Sequence, residues 1–277
     1  MLSSQKVKRV STGIDGLDKM LEGGLVASRI YMLSGDAGSG RSTICGHFLM
    51  DGVKKGEDVL YVTVDSPPAD LSANLSSFNW DAGKIIILNA HPRVREYKVR
   101  GSLLEVTSQR SVGSLKDMDD NRDKPVQPGS SADLSLPTLQ LMLKKEFESM
   151  SYQRLVIDSI ISLKLLGAQD IQWELGINSI LRLLMEEGVT TLMVTDNHRR
   201  DEPLRPEFLM AHGIIKTHRI VVNGKVYRGI YVEKMRGSSH DQQIRPLDIT
   251  ERGVEVNSSK ALMPEVLSQL SSKYPMS

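Results

Sequence analysis

The most informative segment of this chain is Gly35-Asp36-Ala37-Gly38-Ser39-Gly40-Arg41-Ser42-Thr43. An apolar run at 30–34 precedes it, and a segment with helical spacing follows at 44–50. A strand, a glycine-rich loop and a helix in this order are the setting of a phosphate-binding loop. The glycines let backbone N–H groups turn toward an anion, and the helix start adds unpaired N–H groups and partial positive charge. The sequence therefore predicts a phosphate-binding loop over 35–43 rather than an ordinary turn.

Three residues carry the chemistry expected at this loop. Ser42 occupies the position of the hydroxyl that ligates Mg²⁺ in such loops. Arg41 stands where the pattern has lysine, so the loop keeps a cation, but a planar fork replaces a compact ammonium. Asp158 ends the apolar run at 154–158. Alone it would be an ordinary residue at a strand end, but beside a phosphate-binding loop it is suited to position Mg²⁺.

Composition and charge narrow the class of protein. Hydrophobic residues make up 40% of the 277 residues and aromatic residues 5%, which is typical of a globular protein with an aliphatic core. The net charge of +1 gives no overall field that favours nucleic acid or anionic membrane. A single cysteine, Cys45, excludes an internal disulfide, and the six histidines lack metal-ligand spacing. With no signal-peptide pattern and no membrane-spanning apolar run, we expect a soluble, cytoplasmic protein.

The apolar pattern predicts an α/β fold with a mostly parallel central sheet flanked by helices. The predicted strands lie at 30–34, 58–64, 84–89, 154–159 and 189–195, and the predicted helices at 69–78, 137–150 and 173–187. In the last helix the expected apolar stripe is Leu175, Ile180, Leu181 and Leu184. Asn223-Gly224, between two alternating runs, predicts a C-terminal antiparallel hairpin.

The predicted domain organisation is one domain over residues 1–255, followed by a tail at 256–277. A segment at about 100–135 is rich in Ser, Asp, Lys, Pro and Gly and lacks an apolar period, which predicts a mobile surface insertion. A folded lid over the nucleotide is the alternative for this segment. In the tail, Leu262, Val266, Leu267 and Leu270 fit a short amphipathic helix, which could also dock on a partner.

Four sequence motifs, taken in their order, resemble one family. They are Ser11-Thr12-Gly13-Ile14-Asp15-Gly16-Leu17-Asp18 with Gly23-Gly24-Leu25, the phosphate-binding loop, Val156-Ile157-Asp158-Ser159, and Lys234-Met235-Arg236-Gly237. On these the chain is identified as a member of the KaiC-like branch of the RecA/RadA superfamily of P-loop ATPases. The resemblance covers most of the chain except the insertion and the tail.

The resemblance implies a RecA-like core that assembles into hexameric rings or filaments, with ATP between subunits. It implies that the loop at 35–43 binds the phosphates of ATP, and that Ser42 and Asp158 position Mg²⁺. Lys234 and Arg236 would reach the γ-phosphate held by the neighbouring subunit in the manner of an arginine finger, which is worth about 10³ to 10⁵ in rate. The alternative for these two cations is a solvated strand end.

Two departures from the family pattern bear on catalysis. The loop lysine is Arg41, and Asp65-Ser66 stands where the family has a pair of glutamates, one of which orients the attacking water. Asp65 keeps one carboxylate on a shorter stem, and a misplacement of about 1 Å can cost 10²-fold in rate. We therefore expect a protein that binds ATP, hydrolyses it slowly or not at all, and acts as a nucleotide-dependent assembly or signalling module.

Two other functions stay open at this point. The first is an active ATPase with Asp65 as the water-positioning base. The second is an ATPase of the DNA-binding recombinase-paralogue type, for which Arg199, Arg200 and Arg205 are the candidate contacts. The near-neutral charge and the scarcity of aromatic residues argue against strong single-strand binding.

Overall fold

The computed structural model describes residues 7–90, 96–99, 102–105, 135–165, 170–197 and 205–273. The strands in chain order are β1 (Arg9–Val10), β2 (Leu25–Val26), β3 (Ile30–Gly35), β4 (Val59–Thr63), β5 (Ile86–Asn89), β6 (Glu96–Val99), β7 (Ser102–Glu105), β8 (Arg154–Asp158), β9 (Thr190–Thr195), β10 (Gly213–Val222), β11 (Lys225–Met235), β12 (Arg245–Thr250) and β13 (Gly253–Val256). The helices are α1 (Asp15–Met20), α2 (Arg41–Lys54), α3 (Pro68–Ser76), α4 (Leu136–Ser149), α5 (Ile160–Leu165), α6 (Asp170–Glu186), α7 (Pro206–Met210) and α8 (Pro264–Lys273). A 3₁₀ helix lies at Ala82–Lys84.

Nine of the described strands form one sheet in the order β13-β12-β11-β10-β3-β9-β8-β4-β5. The six strands from β10 to β5 pair in parallel, and the four from β10 to β13 pair antiparallel. This arrangement confirms the predicted mostly parallel sheet with a C-terminal antiparallel group. The carboxyl ends of the parallel strands meet at one edge, where a ligand site is expected.

Both faces of the central parallel strands are buried, which explains their continuous apolar runs. In β3, Ile30 and Met32 face a cluster formed with α4 and α6. Tyr31 and Leu33 face the opposite cluster, formed with α1, α2 and α3. Side chains alternate across a strand, so one apolar run serves two helical layers.

The apolar stripe predicted for α6 is wrong at one position. Leu184 is fully buried, but Leu175 is 67% exposed. Leu175 lies nine positions before Leu184, and at 3.6 residues per turn this places it about half a turn away from the buried face of the helix. Ile180 and Leu181 are buried as predicted.

The C-terminal hairpin and the tail pack together. Asn223 and Gly224 have φ values of 50° and 75°, as the predicted two-residue hairpin turn requires. Helix α8 buries Val266 and Leu270, and these two side chains form a separate apolar cluster with Leu262, which precedes the helix, and with Ile220, Val222 and Ile244. The predicted tail helix is thus present and covers one face of the hairpin. The short strand β13 has no counterpart among the predicted strands.

The predicted insertion at 100–135 lies largely outside the described residues. Within it and just before it, β6 and β7 form a two-stranded antiparallel hairpin. Its predicted mobility stays a prediction. Among the described residues, no helix is long and apolar enough to cross a membrane.

Candidate functional site

The glycine-rich loop joins β3 to α2 and is anchored on β10. Gly38 and Gly40 adopt φ values of 73° and 100°, in the left-handed region that favours glycine. A Cβ on Gly35 would lie 2.0 Å from Thr217 Oγ1, so this position requires glycine. The buried Ser39 hydroxyl lies 2.7 Å from the same Thr217 oxygen. The loop therefore has the backbone shape of a phosphate cradle and a fixed position at the sheet edge.

Asp36 ties the start of the loop to the neighbouring strand ends. Its Oδ2 accepts a hydrogen bond of 2.9 Å from the backbone N–H of Arg219. Its Oδ1 accepts one of 3.0 Å from the side-chain amide of Asn197. Ala37, which follows, is exposed at the loop tip. Asp36 therefore supports the loop rather than offering a free carboxylate to a ligand.

The predicted magnesium residues, Ser42 and Asp158, lie together. The exposed Ser42 hydroxyl donates a 2.7 Å hydrogen bond to Asp158 Oδ2, and the Tyr61 hydroxyl donates one of 2.6 Å to the same oxygen. Burial raises the pKa of Asp158, and the two hydrogen bonds act in the opposite direction. The described part of the chain has no group of three His, Cys, Asp or Glu side chains that could hold a metal. These oxygen donors fit Mg²⁺ bound by one hydroxyl, phosphates and water, with the carboxylate close by.

Asp65 lies at the same edge of the sheet, just beyond β4. It is exposed, and its charge contributes to the raised pKa of Asp158, so the two carboxylates are near each other. The carbonyl of Ser66 accepts a 2.6 Å hydrogen bond from the Thr63 hydroxyl. This bond fixes the turn that carries Asp65. One carboxylate, rather than two, faces the loop from this side.

Arg41 is half-buried at the start of α2, and Thr43, two residues on, is half-buried as well. The Arg41 Nη1 donates a hydrogen bond to the backbone carbonyl of Thr195, at the end of β9. This contact draws the guanidinium toward the neighbouring strand. The remaining guanidinium N–H groups still provide positive charge at the sheet edge.

Lys234 and Arg236 lie at the opposite end of the sheet from their own loop. Met235 pairs with Gly213, which pairs with Tyr31 near the start of β3, whereas the loop begins after Gly35. Four strand residues correspond to about 13 Å. The structure therefore does not bring these two cations to the loop of the same chain.

Both cations instead contact the end of α7. Lys234 Nζ donates to the carbonyls of Phe208 and Leu209 at 2.9 and 3.1 Å, and Arg236 Nη2 donates to that of Leu209 at 2.7 Å. Burial and the charge of Arg236 lower the pKa of Lys234. Arg236 also lines a cavity of about 200 Å³ with Arg29 and His212. This end of the sheet is thus a cationic surface that is separate from the loop edge.

The family model described as "ATPase: KaiC" matches residues 10–261. The chain belongs to the KaiC ATPase family. This KaiC-family chain is 28% identical to a UPF0273 protein of Pyrococcus furiosus, over 92% of this chain and 96% of that protein. It is 27% identical to a UPF0273 protein of Thermotoga maritima, over 92% and 98% of the two chains. It is 23% identical to the circadian clock protein KaiC3 of Synechocystis over 88% of this chain, which matches 44% of that protein.

The fold is also found in a solved structure. The crystal structure of a KaiC-like protein from Pyrococcus horikoshii superposes with a TM-score of 0.69, at 24% identity, over 91% of this chain and all of that one. The predicted RecA-like P-loop fold of this KaiC-family chain is therefore confirmed. Membership of an ATPase family supports ATP binding by this core.

Three residues at the candidate site of this KaiC-family chain were not predicted from the sequence. Tyr61 was part of a predicted buried strand, and its hydroxyl meets Asp158 because β4 and β8 are neighbours. Arg219 and Arg228 face the loop from the β10–β11 hairpin, and Arg228 Nε donates to the Gly38 carbonyl at 2.9 Å. In the sequence these three residues are recognisable only as members of predicted strands, and the sequence pattern does not show which strand lies next to the loop.

The residues proposed for DNA binding gain no support. Arg205 is 9% exposed, and its Nη1 donates to Asp196 Oδ1 at 2.8 Å. A buried, ion-paired arginine is not available to a phosphate backbone. Arg199 and Arg200 lie outside the described residues.

His47 on α2 predicts a pH dependence of stability. Its Nε2 accepts a 2.8 Å hydrogen bond from the Val254 N–H, so this nitrogen is unprotonated, and burial lowers the pKa of His47 to about 4. The unfolded chain, with an ordinary histidine pKa near 6.5, then binds more protons between pH 6.5 and 4. We expect the free energy of unfolding to fall as the pH falls through this window, by less than about 1.4 kcal/mol per pH unit because the ring is partly exposed.

Urea unfolding at pH 7 and pH 5 measures this effect. His47→Gln, whose amide oxygen can still accept from Val254, is the matched variant and should lose that part of the pH dependence. If the free energy of unfolding falls equally from pH 7 to pH 5 in the wild type and in His47→Gln, the pH dependence arises from groups other than His47.

Proposed function

We propose that this protein binds Mg·ATP at the loop over 35–43, hydrolyses it slowly, and uses its nucleotide state to control assembly. The observation that carries the proposal is the Ser42 hydroxyl bonded to Asp158 Oδ2 beside a loop with two left-handed glycines. A hydroxyl and a carboxylate at the exposed edge of a parallel sheet are suited to a metal–phosphate complex.

In this proposal the loop N–H groups and the start of α2 bind the phosphate chain. Ser42 and Asp158 would hold Mg²⁺, the hydroxyl as a ligand and the carboxylate by orienting that hydroxyl through their hydrogen bond. Bound Mg²⁺ would supply charge neutralisation on the phosphates. Asp65 holds the attacking water and accepts its proton, because it is the exposed carboxylate near Asp158.

Slow turnover follows from two features of the candidate site. The Arg41 guanidinium donates one hydrogen bond to the Thr195 carbonyl, so fewer of its N–H groups are available to stabilise the charge that develops on the phosphates during the reaction. Asp65 acts alone, since Ser66 provides no second carboxylate. Catalysis of phosphoryl transfer depends on positioning and on charge, and both are weakened here.

Assembly follows from the separation of Lys234 and Arg236 from their own loop. A head-to-tail contact between copies brings this cationic end to the loop edge of the next subunit. Burial lowers the pKa of His212, and the charges of Arg29 and Arg236 lower it further, in agreement with a local positive potential suited to a neighbour's phosphates. The bound nucleotide then links two subunits, and its hydrolysis weakens the link.

The direct test is ATP binding and single-turnover hydrolysis by the full chain with Mg²⁺. We expect binding, with a rate well below about 1 s⁻¹, the low end of ordinary enzymes. Asp65→Glu restores the longer stem and should raise the rate several-fold, whereas Asp65→Ala should lower it. Arg41→Lys should leave binding in place, since the charge is kept.

A wild-type rate above about 1 s⁻¹ that falls about 10²-fold in Asp65→Ala would favour the active-ATPase alternative. Asp70→Ala is the matched control, because this exposed acidic residue lies on α3, beyond the turn. Absence of ATP binding by the wild type would contradict the proposed function itself.

A further inference from the structure

Two arginines lie directly opposite each other on the β10–β11 hairpin. Arg219 pairs with Arg228 in the strand register, so both side chains leave the same face of the sheet. Like charges in this position repel and destabilise the pair. Elsewhere the hairpin does pair its charges, since Lys216 Nζ binds Glu233 Oε1 at 2.5 Å. An anion bound by both arginines would offset this repulsion.

Both arginine side chains converge on the tip of the loop. Arg228 Nε donates to the Gly38 carbonyl at 2.9 Å. The Cδ and Nε atoms of Arg219 lie 3.5 and 3.8 Å from the point where a Cβ on Gly38 would be. Gly38 is exposed and Arg219 is exposed, so a ligand in the loop has access to both.

No carboxylate within the described ranges forms an ion pair with either guanidinium. Asp36, at the start of the loop, accepts hydrogen bonds from the backbone N–H of Arg219 and from Asn197. The loop's own arginine, Arg41, is held by the Thr195 carbonyl. Positive charge at the loop tip is thus supplied mainly by the hairpin.

We propose that Arg219 and Arg228 bind the phosphate chain of the nucleotide and supply from the hairpin much of the charge that a loop lysine supplies elsewhere. The proposal rests on the proposed function, because it needs a nucleoside polyphosphate in the loop. Guanidinium forks match phosphate oxygens, and a bound polyphosphate removes the repulsion between the two arginines. Arg228 also keeps the loop tip in place through the Gly38 carbonyl.

The test compares ATP, ADP and AMP binding by calorimetry in the presence of Mg²⁺. The variants are Arg219→Gln, Arg228→Gln and the double variant, with Lys225→Gln as a control that removes one charge near the turn of the same hairpin. We expect the double variant to lose about 10- to 100-fold in ATP affinity, and less in AMP affinity. Its ATP affinity should also depend less on salt concentration than that of the wild type.

Thermal unfolding separates this role from a structural one. Without ligand, Arg219→Gln should melt at or above the wild-type temperature, because a repulsion is gone while the Arg228–Gly38 bond is kept, and ATP should raise its melting temperature less than that of the wild type. Arg219→Gln leaves the Gly38 bond of Arg228 in place, so it tests the phosphate contact even where the double variant is poorly folded.

Three results overturn the proposal. One is an Arg219→Gln variant that binds ATP as tightly as Lys225→Gln does. Another is an equal loss for ATP and AMP, which would assign the arginines to the nucleoside. The third is wild-type protein that binds neither ATP nor ADP, and only this result also removes the proposed function.

Discussion

Exchanging both Lys234 and Arg236 for alanine will lower ATP hydrolysis to the detection limit, while each subunit still binds ATP. Cations that act on a transferring phosphoryl group from a neighbouring subunit are worth about 10³-fold or more in rate. The phosphate-binding loop is untouched, since the two side chains lie at the other end of the sheet. The measurement is release of labelled phosphate over hours, with Arg252→Ala as the control for an exposed cation.

A mixing experiment tests whether these cations act between subunits. Chains lacking Lys234 and Arg236 are mixed with Asp158→Asn chains, each inactive alone. In a random 1:1 mixture, about a quarter of the interfaces join an intact loop to intact donors, so part of the rate should return. If no rate returns although the chains co-assemble, the cations do not act on a neighbour's nucleotide.

Replacing Asp158 by asparagine will remove the Mg²⁺ dependence of ATP binding. The carboxylate accepts hydrogen bonds from Ser42 and Tyr61 through one oxygen, and in the proposed site its negative charge would hold the metal beside the Ser42 hydroxyl. Loss of such a group costs about 10- to 100-fold in metal affinity or activity. The measurement is ATP affinity with Mg²⁺ and with a chelator, and only the first should fall.

The controls for this prediction come from the same hydrogen-bonded group. Tyr61→Phe keeps the charge and removes one hydrogen bond, so its effect on Mg²⁺-dependent binding should be smaller. Because burial disfavours the charged form of Asp158, the asparagine variant should be at least as resistant to heat as the wild type. An unchanged Mg²⁺ dependence in Asp158→Asn would remove this residue from the metal site.

Several elements were predictable because each depends on a short stretch of chain. The loop over 35–43 needs glycines for its left-handed residues, and the turn at Asn223-Gly224 needs two positive φ values. Asp158 was predicted to position Mg²⁺ because it is a carboxylate at the end of an apolar strand in a chain that also has a phosphate-binding loop. Leu175 was assigned wrongly, since an apolar residue at a helical position need not lie on the buried side.

The contacts among distant strands were not predictable in this way. Tyr61 reaches Asp158 only because β4 lies beside β8, and Arg228 reaches Gly38 only because β10, the first strand of its hairpin, pairs with β3. Every central strand is apolar on both faces, so their patterns do not distinguish one neighbour from another.

The phosphate-binding loop, the α/β class and the residues Ser42 and Asp158 could be read from the chain alone, because each depends on a short motif or on the order of apolar segments. The positions of Lys234 and Arg236 away from their own loop, and of Arg219 and Arg228 beside it, became clear only once the strands were paired in the folded protein. Which strands become neighbours is set by packing of the whole core, and that packing depends on all the elements together.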